Sequence, residues 1–264
     1  MPELAEVEYF RRSWNPGLRE KILRVSLHAE KRIFRNTRVK PLQKSLSGSV
    51  LLSSEARGKQ MLFRFSGDLW LGVHLGMSGK LRTEKPDFKP TKHDHLVLHQ
   101  RGRSLVFSDP RLFGLVSFHR GKAAPAWWAK LAAGLESKSF TAAAMGEFLR
   151  RHRKLPIKAA LLLQGGFPGI GNWMADEILW RAKLAPQTLS GDINGNQLKT
   201  LWRKIRSVCR GALRHVSKAF SDPPKGWLFH ERWKQGGQCP LHRVILLRAK
   251  IGGRTTAWCP ECQR

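Results

Sequence analysis

The 264-residue sequence predicts an α+β chain of more than one domain, and three observations carry that class. Short strand-like runs separated by turn signals fill the stretch up to about residue 122. Helical periodicity takes over between about 138 and 220. Three of the four cysteines then crowd into 230–264. The expected divisions are 1–122, 123–229 and 230–264.

The elements can be justified in order. MPELAEVE opens a helix: Pro2 suits its first position, Glu3, Glu6 and Glu8 suit the positive end of its dipole, and Leu4, Val7, Phe10 and Trp14 recur at helical spacing. Runs at 49–53, 60–65, 69–75, 95–99, 104–108 and 115–119, punctuated by SGD and QRGR, suggest a β-sandwich or barrel. GKAAPAWWAKLAAG reads as a connector running into helix. Helices follow at 141–152, 156–164, 172–182 and, long and basic, 196–218. Cys209 falls inside the last of these and reads as a small buried thiol.

Charge sets the partner. Lys and Arg number 48 against 19 Asp and Glu, a formal net charge of +29, and the basic residues are spread along the whole length. A polyanion is the natural ligand, whether for an enzyme or for a ribosomal or nucleoid-coating protein. No run of eighteen apolar residues suggests a membrane span, and the acidic head does not read as a signal peptide. Four clustered cysteines do not suit a secreted disulfide framework, so the bacterial cytosol or nucleoid is the expected compartment.

The tail reads as a metal site. Cys239, His242, Cys259 and Cys262 have C-x2-H-x16-C-x2-C spacing, two close ligand pairs of the kind that structural zinc prefers. RVILLRAKIGGRTTAW between them reads as two strands turning at Gly252-Gly253, a zinc ribbon with Arg254 at the hairpin tip. In the middle, GGFPGIGNWMADEILWRA is a glycine-rich turn leading into a helix. Asn172 sits where an N-cap would, with free N–H groups outward as an anion site, and Lys158 and RRHRK (150–154) lie beside it. Asp176 and Glu177 are assigned to an exposed helix face. At the head, removal of Met1 would leave Pro2 as a secondary amine. Its reference pKa of roughly 7.7–8.0 makes it a nucleophile for the anomeric carbon of a sugar, with Glu3 beside it to move protons. An ordinary well-capped helix would show the same eight residues.

Taken together, MPELAEVE, ARGKQMLFRF, HLGMSGKLR, KHDHLVL, SDPRLFG, GIGNWMADEILWRA and CPLH…GGRTTAWCPECQ resemble, in order and over nearly the whole chain, the formamidopyrimidine-DNA glycosylase (Fpg/Nei) family, on its Fpg-like branch. The resemblance implies an N-terminal helix on a β-sandwich, a helix-two-turn-helix domain and a C-terminal zinc finger with one structural zinc. It implies a bifunctional DNA glycosylase/AP lyase of base-excision repair that removes oxidised purines such as 8-oxoguanine and formamidopyrimidines, with β,δ-elimination. By matching motifs, Pro2 is the Schiff-base nucleophile, Glu3 protonates the sugar, Lys59 donates a proton in β-elimination, and Arg254 serves δ-elimination and grips phosphate. His93, Arg153, Lys158 and Asn172 contact the DNA backbone, while Met77, Arg111 and Phe113 fill the gap left by an everted nucleotide. Read alone, Met77 and Phe113 are core residues and Lys59 a solvated charge. The partner implied is double-stranded DNA holding a damaged base or abasic site, bound by a monomer, with no membrane role.

Departures from the family pattern are Ala5 for a proline, His242 for a cysteine, Leu112 for a second arginine, Gln60 for an aromatic, and an unfamiliar SDPPKGWLF over 221–229. Alternatives are a Nei-like preference for oxidised pyrimidines or bulky, crosslinked lesions, and a non-catalytic protein that binds damaged DNA.

Overall fold

In the computed structural model the described residues run from Pro2 to Arg264, so Met1 and its removal lie outside them. The chain forms two compact units, Pro2 with Glu6–Leu131, and Glu3–Ala5 with Ala132–Arg264.

Helix α1 is Leu4–Arg12. It starts two residues later than a Pro2 start requires: Pro2 and Glu3 precede the helix, and the Leu4 N–H donates to the Gly169 carbonyl at 3.0 Å. The reason is that the N–H groups of the first turn need partners, and Leu4 finds one outside the helix.

The rest of the first unit is β1 (Arg24–Leu27), α2 (Val39–Leu46), β2 (Leu51–Arg57), β3 (Gln60–Phe65), β4 (Leu69–His74), β5 (Lys80–Glu84), β6 (Asp94–His99), β7 (Ser104–Ser108), β8 (Leu115–Arg120) and the short α3 (Ala126–Ala129). They make two four-stranded antiparallel sheets, ordered β1-β6-β7-β5 and β2-β3-β4-β8. Alternate residues from both sheets, among them Met61, Phe63, Phe65, Leu71, Val73, Leu96, Leu98, Leu105 and Phe107, enter one apolar core. Period-two alternation directs these side chains to one face of each sheet, and the sandwich follows. Val7, Phe10 and Trp14 join the same core, with the Trp14 ring 4.8 Å from that of Phe63. β1, β5 and α2 were not foreseen; RVSL and KLRTE are short and largely polar, so their alternation is faint.

The second unit holds α4 (Ala142–Arg151), α5 (Ile157–Leu161), α6 (Asn172–Ala182), α7 (Gly195–Ala219) and the hairpin β9 (Leu247–Ile251) and β10 (Arg254–Trp258). Thr141 caps α4 through its hydroxyl, and Asn194 with Gln197 forms a capping box on α7. α6 is the central helix: nine of its eleven residues are buried, from Trp173 to Ala182. A second, smaller core packs Trp180, Leu228, Leu246 and Ala257 around Cys239 and Cys259. No helix among the described residues is long and apolar enough to cross a membrane.

Candidate functional site

The head of the chain carries the first surprise. Glu3 is only 3% exposed, and its carboxylate accepts the N–H groups of Gly171 at 2.9 Å, Trp173 at 3.0 Å and Met174 at 3.1 Å. Those are orphan donors of the first turn of α6, whose own cap residue, Gly171, has no side chain to offer. The anion site foreseen at Asn172 is therefore already filled by the protein's own carboxylate, and its N–H groups are not free. Glycine is required at 171 for a local reason: a Cβ there would overlap the Glu3 carboxyl group. Pro2, next to Glu3 in sequence, is half-buried.

α6 carries two more acids. Asp176 and Glu177 are buried, not on an exposed face as their sequence position suggested. Asp176 Oδ1 accepts the Lys158 ammonium. Its Oδ2 accepts Arg232 Nε at 2.8 Å and Nη2 at 2.5 Å, with the Ala257 N–H at 3.3 Å. A carboxylate can be buried this way only because two cations and a backbone donor surround it. Lys158 is 0% exposed, and its Nζ also donates to the Asn172 carbonyl at 2.7 Å. Burial pulls the Lys158 pKa down against the attraction of Asp176. Burial likewise raises that of Glu177, which accepts Arg181 Nε at 2.6 Å.

The network reaches the hairpin. Asn172 Nδ2 donates to the Thr255 carbonyl at 2.9 Å, and Asn172 Oδ1 is buried with no hydrogen-bond partner among the described residues. Gly252 and Gly253 have φ of 58° and 74°, the two left-handed positions that a type I′ two-residue turn demands. Arg254 follows, exposed at the head of β10 and paired in register with Ile251. Arg153 is also exposed, just beyond α4. The unit thus brings Glu3, Asn172, Lys158 and the Arg254 hairpin together around the start of α6.

The cysteine cluster is formed. One ligand atom from each of Cys239, His242, Cys259 and Cys262 lies within 4.8 Å of every other, and His242 Nδ1 is 3.6 Å from the sulfurs of both Cys239 and Cys259. Trp180 Nε1 donates to Cys239 Sγ at 3.3 Å. These four residues could hold a metal ion. Cys209 is buried in α7 away from them, and burial raises its pKa.

In the first unit, Lys59 occupies the second place of the two-residue turn between β2 and β3, after Gly58 at φ 61°. Arg57 pairs with Gln60 across that turn, and Gln60 with His74 on β4. Burial, then the nearby Lys59 and Arg35 charges, hold the His74 pKa below its ordinary value, and its Nδ1 accepts the Gly76 N–H at 3.1 Å. Two loops are locked together by Asp109, which is fully buried. It accepts Ser78 Oγ at 2.6 Å, the Gly114 N–H at 2.6 Å and the Arg111 N–H at 3.2 Å. A Cβ on Gly76, at φ 62°, would strike the Phe113 backbone. Met77 and Phe113 emerge from these loops 40% and 42% exposed, and the Arg111 guanidinium lies 4.9 Å from the Phe113 ring centre. Leu112, between them, has φ 56° and turns toward the core. His93 is half-buried, and its carbonyl accepts the Asp109 N–H at 3.0 Å. Its neighbour Asp94 is pinned by Arg82, Thr91 and Ser108. Burial would raise the Asp94 pKa, but these hydrogen bonds bring it down to about 2.

Sequence reasoning missed Asp94, Asp109, Asp176 and Arg232 as the groups that hold others in place. Asp176 had a signal: a helix reading NWMADEILWRA, apolar on every side, is a buried helix, and its charges must then be paired.

Comparison with known proteins agrees with this arrangement. The formamidopyrimidine-DNA glycosylase N-terminal domain pattern matches residues 1–116, and the formamidopyrimidine-DNA glycosylase H2TH domain pattern matches 131–222. The formamidopyrimidine-DNA glycosylase of Geotalea daltonii is 34% identical, with both chains covered in full. That of Thermus thermophilus is also 34% identical, covering 100% of this chain and 98% of its own. Among solved structures, a Lactococcus lactis Fpg variant bound to Fapy-dG-containing DNA superposes with a TM-score of 0.89 at 28% identity, over the whole of both chains. The chain belongs to the formamidopyrimidine-DNA glycosylase family and, with it, to the DNA glycosylases of base-excision repair.

Proposed function

We propose that this chain removes oxidised purines, 8-oxoguanine and formamidopyrimidines, from duplex DNA and then cleaves the abasic site by β,δ-elimination. The observation that carries the reading is the buried Glu3 carboxylate, fixed by three N–H groups of α6 on the residue that follows Pro2 in sequence. A carboxylate fixed in this way is a positioned proton carrier, and its neighbour in sequence is an amine once Met1 is removed.

The Pro2 nitrogen attacks the sugar's anomeric carbon, and the C1′–N bond breaks as the base leaves with the electron pair and takes up a proton. The new ammonium passes its proton to Glu3. Glu3 returns it to the ring oxygen as the C1′–O4′ bond opens, leaving an iminium between Pro2 and C1′. Loss of a proton from C2′ then expels the 3′ phosphate, with Lys59 as donor, and a second elimination expels the 5′ phosphate. Arg254, exposed just after the hairpin turn, grips that phosphate in this proposal with its planar fork.

His93, Arg153 and Asn172 are the proposed backbone contacts. Lys158 belongs with them through Asn172, whose carbonyl it holds. Met77, Arg111 and Phe113 are proposed to fill the space of the everted nucleotide, and the Asp109 lock explains how exposed apolar side chains keep their positions. The metal is proposed to be a single zinc ion. Tetrahedral bonds of about 2.3 Å to sulfur and about 2.0–2.1 Å to nitrogen put ligand atoms roughly 3.6 Å apart, the spacing found at His242. Modules 1–122, 123–229 and 230–264, acting as a monomer on damaged duplex DNA, complete the proposal.

A lesion panel tests it. Duplexes with 8-oxoguanine, a formamidopyrimidine, an oxidised pyrimidine or an abasic site should give fastest excision on the first two and a doubly eliminated gap. The product of Arg254→Ala should stop at β-elimination. Faster excision of the oxidised pyrimidine would contradict the purine assignment.

A further inference from the structure

α7 runs for 25 residues, carries seven Lys and Arg, and has no carboxylate. At 3.6 residues per turn, Leu201, Ile205, Val208, Cys209, Ala212 and Val216 form its buried face, which packs on α6 and α4. Lys199, Arg203, Arg210 and Arg214 fall in a sector about 60° wide on roughly the opposite side and are exposed. They follow one another over ~22 Å, or about six base pairs of duplex. Arg206 lies at the border of this sector but turns to the carbonyls of Glu136 and Ser137.

The stripe is unbalanced. Glu136, 3.8 Å from Arg210, is the one carboxylate within ion-pair reach of it among the described residues. The other ion pairs of this unit among the described residues take their acids elsewhere: Asp176 with Lys158 and Arg232, Glu177 with Arg181, Glu231 with Lys234, Glu261 with Arg264. Like charges three and four residues apart repel along a helix, so α7 keeps this pattern against its own interest as a helix and is held by its apolar face and capping box.

We infer that this stripe is a second nucleic-acid surface, which takes the phosphate backbone of another segment of duplex DNA. It cannot belong to the first contact: α6, whose first residue is Asn172, lies against the buried face of α7, so the stripe looks away from it. Duplex rather than single strand is favoured because single strands bind on stacking aromatics. Trp202, the one aromatic within 199–214, is half-buried, and its Nε1 donates to the Phe140 carbonyl at 2.8 Å. A protein holding two segments could pass between them without returning to solution.

The test uses the full chain and its variant R203Q/R210Q/R214Q, which keeps helix-forming side chains on an exposed face. Protein is first saturated with a short unlabelled duplex carrying a stable abasic analogue. A fluorescent undamaged duplex is then titrated in, and its anisotropy followed against salt. The wild type should bind the second duplex, and the variant at least ~10-fold more weakly, with a log–log salt slope shallower by about 2.7 for three lost phosphate contacts. Melting temperature and affinity for the abasic duplex should be unchanged. Should the triple variant melt early, K199Q/R203Q repeats the comparison. Equal binding by variant and wild type, or no second duplex bound by the wild type, overturns the inference; tighter capture of single-stranded RNA overturns the assignment to duplex. Failure to bind the abasic duplex would instead count against the proposed function, and the labelled duplex alone would then still report on the stripe.

Discussion

At the scale of single residues, the chain spends its few carboxylates as clamps. Glu3 does for α6 what an N-cap side chain normally does, from 168 residues away. Two predictions separate its roles. Glu3→Gln keeps an oxygen for the N–H groups but cannot carry the proton, so excision should fall by about 10²–10⁴-fold with little change in melting temperature. Gly171→Ala displaces the carboxyl group by steric overlap, so it should lower both activity and stability, measured by single-turnover excision and calorimetry. Asp176→Asn leaves two buried cations facing a neutral amide. Its cost should be about 3–5 kcal/mol by denaturant unfolding. The sequence disclosed Pro2 and Glu3 as chemical candidates because three acids in a basic chain ask for a reason. It did not disclose where Glu3 points, since that bond joins residues 3 and 171–174, and spacing reports only local partners. The same blindness assigned Asp176 and Glu177 to solvent.

At the scale of elements, turns position the chemistry. The metal hairpin was legible at its turn and in its ligand cluster, because ligand spacing and two glycines are local signals and Gly252 and Gly253 adopt the backbone they imply; its first strand is shorter than expected, starting at Leu247 and not at Arg243. Two strands, β1 and β5, were illegible because their residues alternate weakly. The hairpin has a small core, so metal ligation should supply much of its folding free energy. Metal analysis should return one zinc per chain, and chelation or His242→Ala should unfold the hairpin and abolish DNA binding. A metal-free protein that still binds DNA would contradict this.

At the scale of the whole molecule, charge and pH meet. The net +29 was read directly from composition, and the polyanion partner with it. Its arrangement was not, because a basic stripe shows only once the helix and its buried face are known. His74, His95 and His99 are each held, chiefly by burial, below the ordinary histidine pKa of 6.5. The unfolded chain therefore binds more protons than the folded one just below that value, and stability should fall as pH drops through about 6.5. Asp94 adds a second, acid-side loss: its folded pKa of about 2 lies below the ordinary 3.8, so its contribution holds above 3.8 and disappears as pH falls through about 2. A melting series from about pH 8 downward checks both signs; constant stability between about pH 7 and 5 would contradict the histidine account.

The central claim is that Pro2 is the nucleophile and Glu3 its proton carrier. Borohydride trapping on 8-oxoguanine and abasic duplexes, with the adduct peptide mapped, tests it most directly. The account predicts a covalent adduct on both duplexes, located at Pro2, diminished in Pro2→Gly, which offers a primary amine in place of the secondary one, and reduced in Glu3→Gln on the 8-oxoguanine duplex above all. Tight binding of both duplexes by protein with a free Pro2, yet no adduct or one mapped to a lysine, would contradict it.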